Sequence, residues 1–385
     1  MKPARKVPVT NSLIQSQYII IEQPDQLQVV IVKQKLEVLI VNEYPEKIIN
    51  EPQLDELLAN PGPGTVEMMS RTEGDIIFLG IGGKIGPSLA RMAKKACDLA
   101  GVKKRLIGVS TFRSSDQRKQ IEASGIETIQ GDLLDMDFIK TLPAVKNVFY
   151  LAGMKFGSVD NLSLTWAVNS YIPALVAGHF KDSRIVAYST GCVYPLVPVN
   201  SGGSLESDLP EPVGEYAQSC LGRERMFEYG SKTHNTPVSL IRLNYAVELR
   251  YGVLVDIAQQ IYNREPVDVN MGYFNVIWQG DANNLVLRSL ELAGSPARIL
   301  NITGPEILSV REVALEFGRH FNTEVTFRGK ESPTALLSNS SLIFNLLERP
   351  EVPVSRIIYW TAQWMKQEGR LLGKPTHFEV RDGKY

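Results

Sequence analysis

The chain has 385 residues, 44 % of them apolar and 22 % charged, with a formal net charge of -1. That length asks for about two domains, and the balance is that of an ordinary globular protein. Near-neutral charge gives no electrostatic reason to expect nucleic acid or an anionic membrane as partner. No run approaches the ~20 apolar residues of a membrane helix, and no apolar signal core follows the basic N-terminus.

Residues 1–72 read as an N-terminal extension. β-branched residues mark strands at Gln17 to Glu22, Leu27 to Val32 and Leu36 to Val41, a short helix spans Glu51 to Leu58, and Asn60 to Gly64, rich in proline and glycine, breaks regular structure. Residues 73–245 alternate strands with helix-sized segments. Apolar runs occur at Ile76 to Leu79, Leu106 to Val109, Val148 to Leu151 and Arg184 to Tyr188. Between the first two, apolar residues recur at helical spacing from Pro87 to Ala100. That rhythm predicts an α/β fold, a Rossmann-type doubly wound parallel sheet. Residues 246–385 form a smaller α/β substrate-binding region interleaved with the sheet, with helices expected over Val310 to Phe321 and Arg356 to Glu368.

Between the first strand and first helix of the sheet region lie Gly80, Gly82, Gly83, Lys84, Ile85 and Gly86. Gly80, Gly83 and Gly86 follow GxxGxxG in the context that such a turn requires. The first glycine permits a tight turn, the second lets the backbone approach a pyrophosphate, and the third allows close helix–strand packing. The helix N-terminus then offers N–H groups and partial positive charge to phosphates. After the second strand no acidic residue is placed to bind a ribose 2′-hydroxyl. Ser110 and Arg113 suit a 2′-phosphate instead, which inclines the expected cofactor, NAD(P), towards NADP without settling it.

From here the sequence resembles the extended short-chain dehydrogenase/reductase family of NAD-dependent epimerases and dehydratases, and UDP-galactose 4-epimerases in particular, over roughly residues 74 to 320. After the glycines, Gly131 to Asp135 looks like the family's acidic turn, with Asp132 and Leu133 implied at the adenine. The segment Leu151, Ala152, Gly153, Met154, Lys155 is similar to the epimerases' AGxK stretch beside the cofactor. Asn169 matches an asparagine of the next helix. Ser189 to Tyr194 resembles S-[ST]-x-x-V-Y, which puts Thr190 at the catalytic Ser/Thr position, and Tyr216 falls where YxxxK begins. Glu224 and the stretch Arg242 to Asn244 match further positions, Asn244 among the implied cofactor contacts. Gln279-Gly280-Asp281 is similar to an acidic segment near the substrate pocket. The family lysine of YxxxK is Cys220 here, and the Asp-Glu pair of 4,6-dehydratases is missing after Thr190.

The resemblance implies hydride transfer on a sugar or sugar-nucleotide-like polyol, with Tyr216 as acid and base and Thr190 as hydrogen-bond donor. A tyrosine with its ordinary pKa of about 10 needs a cation nearby to act as a base at neutral pH. Cys220 offers no such charge. Either Lys155 takes over the role, or the reaction needs only a proton donor, or redox activity is lost and a cofactor-binding regulatory or scaffolding protein remains. A homodimer is also implied. The three cysteines, Cys97, Cys192 and Cys220, show no CxxC spacing, and the four histidines no HExxH pair, so no metal and no disulfide framework is expected and the compartment is expected to be the cytoplasm.

Overall fold

The computed structural model describes residues 44–383, apart from 113, 156, 158 and 159, together with residues 19–23 and 26–30. Contacts divide the chain into Met1–Glu43 and Tyr44–Tyr385. In the first unit Ile19–Gln23 and Gln26–Val30 pair antiparallel, with Ile19 opposite Val30. These strands fall on the first two expected runs, whereas the third, Leu36 to Val41, lies outside the described residues.

The second unit opens with two helices, α1 (Glu51–Leu58) and α2 (Pro63–Arg71). The side chain of Asn50 accepts from Gln53 N and caps α1. The proline–glycine stretch expected to break structure therefore starts a helix, because Pro63 occupies its first turn, where the missing N–H costs nothing. Leu54, Leu58, Met68 and Met69 are fully buried, so residues 44–72 belong to the main core, and the compact unit begins well before the expected boundary at residue 73.

Seven parallel strands form the central sheet: β1 (Ile76–Leu79), β2 (Leu106–Ser110), β3 (Glu127–Gln130), β4 (Asn147–Tyr150), β5 (Arg184–Thr190), β6 (Val238–Leu243) and β7 (Arg298–Ile302). Their order is β3-β2-β1-β4-β5-β6-β7, so the chain reverses direction across the sheet between β1 and β4. Such a reversal leaves a crevice at the carboxyl ends of the strands, where ligands of open α/β sheets bind. Strand periodicity divides the core into two layers. Ile76, Phe78, Phe149 and Tyr188 face one, and Ile77, Leu79, Val148 and Tyr150 the other. Phe78 and Phe149 are opposite in register and stack at 5.2 Å. The edge strand β7 comes from beyond residue 246, which interleaves the last region with the sheet.

Further helices follow these strands: α3 (Gly86–Leu99), α4 (Ser115–Ala123), α5 (Met136–Thr141), α6 (Leu162–Trp166), α7 (Ile172–His179) and α8 (Gly214–His234). One π-helical turn, Ala167–Tyr171, joins α6 to α7. The last region builds its own core from helices Val253–Tyr262, Val310–Phe321 and Val354–Lys366 around Trp278, Trp360 and Trp364.

Asp281, in the segment compared by sequence to an acidic stretch near the substrate pocket, is buried in the first turn of the helix Gln279–Arg288, where its carboxylate accepts Val352 N at 3.0 Å. Burial outweighs that hydrogen bond and pushes its pKa up to about 7. The folded chain thus keeps a proton that the unfolded chain loses near pH 4. Stability on this account is full below about pH 4 and is lost as pH rises towards 7, on the order of 3 to 4 kcal/mol in all. Urea denaturation of Asp281→Asn should lack this decline, so the variant should gain on the unmodified chain between pH 5 and 8.

Candidate functional site

The glycine-rich turn links β1 to α3. Gly80 has φ +89, and a Cβ there would sit 2.6 Å from Ala152 N. The turn is therefore pressed against the segment that follows β4, an approach open only to glycine. A Cβ on Gly82 would sit 2.5 Å from Ser110 Oγ, and one on Gly86 would collide with the Ile81 carbonyl. Gly83 is different. It is exposed, and a Cβ there would meet only Gly80 O, at 3.5 Å. Ile85, at the head of α3, supplies no capping side chain. A backbone turn with one open glycine, before a helix without a side-chain cap, fits a phosphate group. Beside it opens a cleft of about 1080 Å³ whose walls include Gly82, Gly83, Lys84, Gln117, Arg250 and Gln279.

Lys84 leaves this turn towards the last region. Its amine donates to Ala246 O at 3.1 Å and lies 4.4 Å from the centre of the Tyr251 ring. Burial lowers its pKa to about 8, against the attraction of Glu248. The like charge of Lys155 adds to that lowering.

Ser110 ends β2 and Asp132 follows β3 on the surface, its carboxylate accepting Leu134 N at 2.9 Å in a local turn. Leu133 is buried beside it. Arg113 lies outside the described residues. Leu151 continues the ladder by donating to Leu79 O at 2.8 Å, which brings Ala152 and Gly153 to the crevice.

Asn169 does not face that crevice. Fully buried in the π-helical turn, it accepts from Met154 N (2.8 Å) and Arg223 Nη2 (2.6 Å) through Oδ1, and donates to Met154 O (2.9 Å) and Ser219 Oγ (3.0 Å) through Nδ2. All its hydrogen-bonding capacity is spent on fastening the 153–155 loop to α8. The cofactor contact implied for Asn169 is thereby replaced by a structural one. Asn244 is likewise buried and gives its amide to Asn275 Oδ1 at 3.1 Å; Asn275 in turn donates to Ser338 O.

Thr190 and Tyr216 meet at the ends of β5 and α8. Thr190 Oγ1 accepts from Cys192 N at 3.1 Å, and its hydroxyl hydrogen-bonds the Tyr216 phenol. Tyr216 also shares a hydrogen bond with the Cys220 thiol. Burial raises the Tyr216 pKa well above 10, the neighbouring thiols raise it further, and the Arg223 guanidinium and Thr190 oppose them. The phenol of this site is therefore protonated at neutral pH. Burial pushes the Cys220 thiol up to about 11, which leaves it inert as a nucleophile.

Behind these residues Glu224 and Arg242 form a bidentate pair at 3.0 and 2.7 Å, exposed by 0 and 1 %. Glu224 also accepts from Ser189 Oγ. The two residues matched separately in the sequence are thus one buried cross-link between α8 and β6. Sequence reasoning missed Arg223 and the C-terminal tail. The tail crosses the crevice: Thr376 bonds Asp256 through N and Oγ1, Thr376 O accepts from Lys155 Nζ at 3.3 Å, and Gly383 abuts Gly214 just ahead of Tyr216. The amine of Lys155 is thus engaged with the tail. Only the i, i+7 relation of Tyr216 and Arg223 on one helix was there to be read.

No family model and no curated protein matches this sequence. Solved structures do. UDP-glucuronic acid 4-epimerase from Bacillus cereus, in complex with UDP-glucuronic acid and NAD, is 18 % identical, with a TM-score of 0.64 over 76 % of this chain and 99 % of that one. UDP-glucose 4-epimerase from Thermus thermophilus with NAD is 16 % identical at TM-score 0.63, and MoeE5 with UDP-glucose and NAD is 16 % identical at 0.62, each over the same shares. The chain has the Rossmann-type α/β fold of these three proteins. Its described residues contain no group of His, Cys, Asp and Glu side chains suited to a metal ion, and no helix long and apolar enough to cross a membrane.

Replacing Asn169 by alanine should leave the Met154 backbone and Arg223 Nη2 without their present bonds and cost about 2–3 kcal/mol. Hydrogen exchange should show the loss concentrated at the amides of residues 152–155 and the first turns of α8.

Proposed function

We propose that the chain is an NAD(P)-dependent enzyme of the epimerase or dehydrogenase type, acting by hydride transfer on a sugar nucleotide. The observation that carries this reading is the hydrogen-bonded pair of Thr190 and Tyr216 at the strand ends that also carry the glycine cradle. Gly80 to Gly86 and the start of α3 would hold the pyrophosphate, Asp132 and Leu133 the adenine end, and Leu151 to Gly153 the nicotinamide end. A bound nicotinamide supplies the hydride acceptor and donor. The structures of like fold with NAD and UDP-sugars support a cofactor and substrate of that class. NADP remains our choice between the two cofactors, from Ser110 and Arg113.

Tyr216 moves the proton. In the reducing direction its phenol gives a proton to the substrate's carbonyl oxygen as the hydride reaches carbon. In the oxidising direction its phenolate takes the proton from the hydroxyl. Thr190 steadies the oxygen beside Tyr216 with its hydroxyl, whose own oxygen is held by Cys192 N. The protonated phenol suits the reducing direction without help, and oxidation needs a cation near Tyr216. The exposed Trp166, Tyr171 and Tyr229 on α6 to α8 and the turn between them support a homodimer formed through these helices. Three cysteines without disulfides fit a reducing cytoplasm.

Mass analysis of the purified chain for bound cofactor, then a screen of UDP-sugars for product and for absorbance at 340 nm, tests this reading. Tyr216→Phe should lower turnover by roughly 10²-fold or more while cofactor binding persists. Cofactor bound without turnover of any sugar would favour the non-catalytic binding protein that Cys220 suggests. Failure to bind either dinucleotide would refute the reading.

A further inference from the structure

We propose that Arg223 supplies the fixed positive charge facing Tyr216, the place in which Lys155 was expected; this rests on the acid–base role proposed for Tyr216. Tyr216, Cys220, Arg223 and Phe227 stand at i, i+4, i+7 and i+11 on α8 and so share one stripe of the helix. Helical side chains lean towards the N-terminus, and the long Arg223 side chain reaches back a full turn. Its Nη2 donates to Asn169 Oδ1 at 2.6 Å, on the asparagine that also holds Ser219, and its Nη1 donates to Tyr188 O at 2.9 Å, two residues before Thr190. The guanidinium therefore lies between the end of β5, the first turns of α8 and the loop after β4. Gly153 makes the room, because a Cβ there would sit 2.6 Å from Nη2.

This cation is 5 % exposed, and no carboxylate among the described residues forms an ion pair with it. Its neighbour Glu224 gives both oxygens to Arg242. The Nε of Arg223 has no hydrogen-bond partner. A buried charge that no carboxylate bonds directly is costly; Arg223 feels the charge of Glu224 only at a distance, and its own field falls on Tyr216, Cys220 and Tyr150, favouring the ionised form of each. The thiols of Cys192 and Cys220, also near the phenol, carry no positive charge. The amine of Lys155, by contrast, donates to Thr376 O in the tail.

The test is the ionisation of the Tyr216 phenol in the full chain saturated with oxidised cofactor, or without it if none binds. It is followed by NMR with ring-labelled tyrosine, the Tyr216 signal being assigned by its loss in Tyr216→Phe. Arg223→Gln, which keeps a neutral donor for Asn169 and Tyr188, should raise the titration midpoint by about one unit or more; Arg223→Met is the second neutral variant should the first not fold. Arg223→Lys should stay near the unmodified value, and Cys220→Lys added to Arg223→Gln should bring the midpoint back down. A midpoint unmoved in the neutral variants would overturn the proposal and leave Arg223 a packing residue. So would a phenol that stays protonated throughout the pH range in which the unmodified chain is folded. A shifted midpoint in a chain that turns over no sugar nucleotide would uphold the charge assignment and refute the proposed reaction instead.

Discussion

The site is organised by one amide. Asn169 sits in the π-helical turn with both its lone pairs and both its N–H groups engaged, and its four bonds reach three different pieces of what lies above it. Two close on Met154 and shape the loop that leaves β4. One holds Ser219 and so sets the first turns of α8, where Tyr216 stands. The fourth takes Arg223. The extra residue of a π-turn shifts a helix face locally, and here it aims a side chain that a regular helix would turn elsewhere. Buried polar networks of this kind are stable only when complete, which is why loop, helix and cation are settled together.

Burial is the dominant electrostatic influence around the crevice. It raises Tyr216 and Cys220 and lowers Lys84. A phenol among thiols in such a place keeps its proton, and only fixed charge can oppose that. The buried pair of Glu224 and Arg242 does not serve this purpose, since each neutralises the other. Its effect is mechanical: it ties α8 to β6, so the helix bearing Tyr216 and the strand leading to Asn244 cannot slide apart.

The fold was legible where a residue's role depends on its immediate neighbours. The apolar runs became β1, β2, β4 and β5 within two residues, and Gly80 and Gly86 show the close approaches that their spacing foretold. The helix Pro63–Arg71 was misread because Pro-Gly is ambiguous between a break and a helix start, and only the burial of Met68 and Met69 decides. The burial of Asp281 was not legible, because the sequence shows its charge and hides the packing around it. Asn169 and Asn244 were noticed for the right positions, yet their partners lie 15 to 54 residues away for one and 31 for the other, so no local pattern could say which way they face. Arg223 was missed for a similar reason. A lone arginine on a long helix is ordinarily a solvated one, and its burial follows from Gly153, seventy positions earlier.

The course of the C-terminal tail has a consequence for the order of assembly. Thr376 and Gly383 touch the Lys155 loop and the start of α8, the first across 221 positions of sequence. The seven strands, the two cores and the crevice are all complete in sequence before the tail arrives to cross it. Contacts of such separation carry a large loop-closure cost and form late. A folded form with the crevice still open therefore precedes the one in which the tail bridges it.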